Sequence, residues 1–159
     1  MFCEKCGTKM NEAGKEFHCP ACQFIKYFNP IPVAVSLIRI NDDGIIKFLG
    51  VLRKDNQMLA LPGGFQELED ISDCAKREVY EETGLDLTGS YHEDVLVLTV
   101  PNKNRNLMFM LYNDIVDKSE INFNYSSNET EKPVLIDETS KLAFPLHEKA
   151  IKYFINKIK

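Results

Sequence analysis

Four of the five cysteines fall in the first 22 residues, as Cys3-x2-Cys6 and Cys19-x2-Cys22. Two such pairs twelve residues apart have the spacing of a zinc site with four thiolate ligands, which closes a fold too small for a core of its own. Gly7 behind the first pair and Pro20 inside the second supply turn chemistry. Disulfides are the alternative, but they need an oxidising compartment that nothing in the chain points to. The second concentration of chemistry is acidic. From Glu67 to Glu82 seven carboxylates face only Lys76 and Arg77, an excess equal to the net charge of −5 of the whole chain.

Helical geometry sharpens this. With Glu78 set at 0° and about 100° per residue, Glu81 falls at about 300° and Glu82 at about 40°, one narrow sector. Glu78 and Glu82 form a like-charge i,i+4 pair, and both lie near a helix C-terminus, where the macrodipole disfavours anions by roughly 0.3–1 kcal/mol each. Two readings fit the charges alone: a solvated acidic face, or a site for a divalent oxygen-seeking cation that reverses both penalties. Cys74, at about 320°, lies one turn earlier on the same side and reads as a small packing residue rather than a nucleophile.

The elements that must hold these groups can be read in outline. Residues 1–29 form the cysteine ribbon, which ends near Phe28-Asn29-Pro30, and residues 30–159 form a second unit. Pro32–Ile40 reads as a buried strand, Asn41–Gly44 as a turn and Ile45–Arg53 as its hairpin partner. Leu61-Pro62-Gly63-Gly64-Phe65 is a loop that leads into a helix over Ile71–Thr83, with Asp70 as N-cap and Gly84 just past its end. Strands are expected near Asp94–Val100 and Leu107–Ile115, a polar mobile loop over Lys118–Pro133, and an amphipathic helix behind Pro145. Strands and helices in this order predict a layered α/β or α+β fold.

Composition limits the function. At 159 residues, 44% hydrophobic and 27% charged, the chain is an ordinary globular sequence. Its longest apolar run is too short to cross a bilayer, and its start has no signal-peptide layout, so a cytoplasmic location is expected. Net charge of −5 argues against broad nucleic-acid binding. His18, His92 and His147 form no pattern and are expected in surface or capping roles.

The spacing of the acidic segment is Gly63-x5-Glu69-x7-Arg77-Glu78-Val79-x-Glu81-Glu82-x-Gly84-Leu85. This resembles the Nudix hydrolase family, whose signature GX5EX7REUXEEXGU (U aliphatic) is met at every fixed position. The resemblance covers about residues 31 to 159. It implies an α/β/α sandwich with a mixed sheet, and hydrolysis of a nucleoside diphosphate linked to another moiety, with Mg²⁺ or Mn²⁺ as the working ion. By the same resemblance Glu78 and Glu82 are metal ligands, and Glu81 is a further ligand or a base acting on water. Arg77 fixes carboxylate orientation, Glu69 anchors the loop or the cluster, and a glycine carbonyl faces the ion. Family members commonly place the box glycine second in the Gly-Gly pair. Here the strict spacing falls on Gly63, which leaves both Gly63 and Gly64 as candidates.

Nudix joined to a four-cysteine ribbon resembles NADH pyrophosphatases, but their Ser-Gln-Pro-Trp-Trp motif is absent and the chain has no tryptophan. Pro101, sixteen residues after Leu85, instead resembles the diagnostic proline of ADP-ribose pyrophosphatases. ADP-ribose or another ADP-linked compound is thus the expected substrate, with NADH or NAD second. A nucleotide sensor that does not cleave its ligand is the reading from another class. Arg53, Phe65 and Pro101 are candidate substrate contacts, Phe28, Phe65 or Tyr112 candidate adenine stackers, and Glu129 or Glu131 a later-loop base. One structural Zn²⁺ is expected in the ribbon, and homodimers are frequent in related families.

Overall fold

A computed structural model describes residues 1–158. Within residues 1–29, β1 (Asn11–Ala13), β2 (Glu16–His18) and β3 (Ile25–Tyr27) form a three-stranded antiparallel sheet. Its buried interior is only Cys3, Met10 and Cys19, with Phe17 and Phe24 packed beside them. So small a core cannot offset chain entropy alone, which makes the thiols structurally important.

The apolar run after Asn29 is two strands, not the single one expected. The first of them, β4 (Ile31–Leu37), ends at Leu37, and β5 (Arg39–Asp42) begins two residues later. β4 belongs to a sheet ordered β8-β4-β10-β9, while β5 belongs to a sheet containing β11, β5, β6, β7 and β12. Here β6 is Ile45–Arg53, β7 Leu59–Ala60, β8 Gly63–Phe65, β9 Tyr91–Val100, β10 Arg105–Tyr112, β11 Val116–Asp117 and β12 Thr130–Ile136. The chain crosses between sheets at Ile38, where both faces are covered, so no polar residue marks the break. β5 and β6 make the expected hairpin around the Asp43-Gly44 turn.

Helix α1 (Ile71–Thr83) has the anticipated ends. Asp70 accepts from the Ser72 amide at 2.9 Å, and Gly84, at φ 73°, returns its N–H to the Tyr80 carbonyl. Cys74, Ala75 and Val79 pack against Ala34, Ile38 and Ile40 on one side of the sheets. On the other side Ala150, Ile151 and Phe154 of α2 (Pro145–Ile158) pack on Val35, Leu37 and Phe109. The result is the α/β/α layering.

Three further expectations need correction. Gly63–Phe65, expected within a loop, is strand β8, paired antiparallel with β4. Residues 130–136, assigned in part to a mobile loop, form β12, antiparallel to β6. Pro133 is tolerated because β12 is an edge strand with no ladder on its outer side. The preceding residues are also held down: Lys54 donates from Nζ to the Ser127 carbonyl at 2.6 Å and from its amide to that of Glu129 at 3.0 Å. His147 is buried rather than superficial. Its Nδ1 accepts from the Leu61 amide at 3.2 Å, and its ring lies edge-on to Phe109, because the first turn of α2 tucks behind the glycine loop.

Candidate active site

The expected carboxylates come together where β8 meets α1. Glu78 and Glu82 are nearly buried, and Glu81, on the outer edge of the sector, is exposed. A Cβ on Gly64 would lie 2.3 Å from the Glu78 carboxyl carbon, so only glycine lets that carboxylate rest against the strand. The Gly63 N–H donates to Glu82 Oε2 at 3.2 Å. Hydrogen bonds from Ser36 N to Pro62 O and from Gln66 N to Pro32 O set the antiparallel alternation of β4 and β8. That alternation turns the N–H and C=O of Gly64 toward Ala34 and those of Gly63 away from β4. The Gly63 carbonyl therefore shares the helix-facing edge with the amide that meets Glu82.

Arg77 ties the parts together. Its Nη2 reaches Glu69 at 2.6 Å and the Phe65 carbonyl at 3.1 Å, and its Nη1 reaches Glu78 at 2.8 Å and Glu81 at 3.3 Å. One guanidinium thus fixes the end of β8, the loop and two carboxylates. Burial, with Glu78 and Glu129 adding repulsion, pushes the Glu82 carboxyl up to about 8, and burial also raises Glu78. Glu69 is held low by Arg77. The Cys74 thiol, raised by burial to about 11, is no nucleophile at neutral pH and caps inward toward the Phe65 carbonyl at 3.5 Å. The donor set is oxygen throughout, which suits a hard divalent cation such as Mg²⁺ or Mn²⁺.

The cluster borders a cleft of about 1590 Å³ between the two sheets. Val33, Val35, Phe65, Val100, Arg105 and Leu107 line one wall, and Arg53, Ala60, Leu61, Phe144 and His147 line the other. Arg53 stands at the cleft, stacked over Phe144 at 4.9 Å and forked onto Asp55. Phe65 is 47% exposed in the cleft. Glu129 also lines it, whereas Glu131 is turned to Gln57 at 2.8 Å and Pro101 sits in the exposed β9–β10 turn, both outside the lining. Phe28 packs on Phe17, and Tyr112 is buried, accepting from the Gly89 amide. His18 and His92 are surface groups beside Glu16 and Asp94.

Sequence reasoning missed Arg105, Thr130 and Tyr125. Thr130 donates to the Glu82 carbonyl at 2.9 Å and Tyr125 to that of Glu81 at 3.3 Å. No local pattern marks them: Thr130 at the start of β12 and Tyr125 in the segment before it meet the end of α1, while Arg105 meets Phe65 across the sheet.

In the ribbon the four cysteine sulfurs lie within 4.8 Å of one another, with Cys3–Cys22 at 3.6 Å and Cys6–Cys19 at 3.5 Å. Thiolates 2.3 Å from a tetrahedral zinc would stand roughly 3.8 Å apart. The four thiols could therefore hold a zinc ion, and no disulfide joins them.

A sandwich with a metal-suited carboxylate cluster at the junction of loop and helix is the Nudix architecture. The NUDIX domain family model matches residues 30–154, and the chain belongs to that family. A NAD-capped RNA hydrolase NudC from Vibrio atlanticus (strain LGP32) is 28% identical over 89 residues, 55% of this chain. The chain spans about a third of the length of that relative. A NUDIX hydrolase from Nitrosomonas europaea aligns over 98% of this chain and 90% of its own, with a TM-score of 0.70 and 20% identity. The NUDIX domain of Shewanella oneidensis NrtR, solved with ADP ribose, aligns over 82% and 89% at TM-score 0.64 and 15% identity. A C. elegans Ap4A hydrolase aligns over 79% and 97% at TM-score 0.66 and 19% identity. At these identities the structural likeness is one of fold. Among the described residues no helix is long and apolar enough to cross a membrane.

Proposed function

We propose that this protein hydrolyses the pyrophosphate bond of a nucleoside diphosphate derivative, ADP-ribose or another ADP-linked compound, with Mg²⁺ or Mn²⁺. The observation that carries this reading is the burial of Glu78 and Glu82 against a glycine pair with Gly63 polar groups on the same edge, beside a cleft large enough to admit a nucleotide. Glu78, Glu82 and the Gly63 carbonyl would hold the cation, with Glu81 at its exposed side. When bound, the cation supplies positive charge to the phosphate oxygens and acidifies water. The residues themselves do the positioning. Arg77 keeps Glu78 and Glu81 in place and ties both to Phe65, while Glu81 or Glu129 is available to take the proton of the attacking water. Water adds across the P–O–P bond, so that ADP-ribose gives AMP and ribose 5-phosphate.

A domain division at residues 29 and 30, with one Zn²⁺ on Cys3, Cys6, Cys19 and Cys22, completes the reading. NAD or NADH is the second substrate class, favoured by the likeness to a hydrolase of NAD-capped RNA. The test is incubation of the purified chain with Mg²⁺ and ADP-ribose, NAD, NADH, diadenosine polyphosphates and nucleoside triphosphates. Release of AMP from the ADP-linked members supports the proposal. Tight binding of one compound without turnover of any supports a sensor instead.

A further inference from the structure

The chain has four arginines, and among the described residues Arg105 is the one whose guanidinium makes neither an ion pair nor a hydrogen bond. Arg39 donates to the Asn113 carbonyl, Arg53 grips Asp55, and Arg77 holds Glu69, Glu78 and Glu81. Arg105 lies instead over the Phe65 ring, its guanidinium carbon 4.8 Å from the centroid. In a chain of net charge −5, an arginine that stacks rather than pairs needs an explanation.

Strand pairing shows what surrounds the stack. Phe65 pairs with Val33, Val33 with Leu107, and Arg105 with Val100 across β9, so these side chains share one sheet face. All of them line the cleft. The Phe65 carbonyl is held by Arg77, and the next residue back, Gly64, supports the Glu78 carboxylate. The stack is therefore joined through one strand to the phosphate-handling cluster. A guanidinium laid on a phenyl ring has already lost most of its freedom, and nucleobases stack on guanidinium and aromatic planes. Arg53, across the cleft, has its fork committed to Asp55.

We propose that Arg105, laid on Phe65, is the platform on which the nucleobase of the substrate stacks, and that it sets which end of the substrate lies over β10. The proposal rests on the reading of the site as one for nucleoside diphosphate derivatives. AMP and ribose 5-phosphate are the probes, since both carry a phosphate and one lacks a base. Their binding to the full chain is measured by titration calorimetry for wild type, Arg105→Ala, Arg105→Lys and Phe65→Leu. Arg105→Ala should weaken AMP at least about tenfold and leave ribose 5-phosphate within about twofold. Arg105→Lys, which keeps the charge and loses the plane, should not restore AMP binding. Equal losses for both probes, full rescue by lysine, no loss at all, or a wild type that binds AMP no better than ribose 5-phosphate overturns the platform. Should Arg105→Ala fail to fold, the Phe65→Leu change carries the same comparison: selective loss of AMP binding supports the platform, and equal losses or no loss overturn it. No turnover is read, so failure of hydrolysis on the substrate panel is a separate result that counts against the activity alone.

Discussion

A Cβ at Gly64 would sit 2.3 Å from the carboxyl of Glu78, whereas a Cβ at Gly63 would sit 2.3 Å from the Ala34 carbonyl oxygen and 2.9 Å from the Val35 Cα. The first neighbour is a side chain that can move, and the second is strand backbone that cannot. Gly64→Ala should therefore displace Glu78, lowering kcat at least about tenfold, while leaving the urea midpoint near that of wild type. Gly63→Ala should cost about 1–3 kcal/mol in urea unfolding. Equal stability losses in the two variants would contradict this division. The carboxylate sector was legible in the sequence because helical spacing alone places Glu78 and Glu82 on one face. The choice between the glycines was not, since it depends on which of them faces β4 in the ladder. Arg105 was invisible for a similar reason: its partner Phe65 is forty residues away and meets it only through β4.

At the level of elements, α1 could be read to its ends because capping chemistry is local, and Asp70 and Gly84 carry it. The split of β4 from β5 could not, because a run covered on both faces shows no alternation. β12 was hidden by its polar residues and Pro133, which an edge strand accepts. His147 links α2 to the glycine loop, and burial lowers its pKa from 6.5 to about 4. The unfolded chain takes up this proton below about pH 6.5, and the folded chain does not until about pH 4. Stability is thus lost as pH falls through that window, by about 2 kcal/mol between pH 7 and pH 5. His147→Gln, which keeps an acceptor for the Leu61 amide, should remove this part of the dependence. Urea unfolding of both proteins at the two pH values checks it, and an unchanged pH slope in the variant would contradict it.

Over the whole molecule, the ribbon and the sandwich are stabilised differently. The sandwich buries two apolar clusters on either side of its sheets, while the ribbon has three buried residues, two of them cysteines. One zinc per chain is the expected mass increment under native ionisation, and chelation should unfold the ribbon signals while the aromatic core of the sandwich keeps its near-UV dichroism. A zinc-free chain with an intact ribbon would contradict the four-thiolate reading. The cysteine spacing made this cluster legible, since four cysteines in 22 residues leave few other ways to gather them.

The most direct measurement for the account as a whole is calorimetric titration of Mn²⁺ into wild type and Glu82→Gln. Wild type should take up the ion, and the variant should bind it at least about tenfold more weakly with an unchanged melting temperature. No uptake by wild type at millimolar Mn²⁺, or the same affinity in both proteins, would contradict the claim that these buried carboxylates are built around a divalent cation.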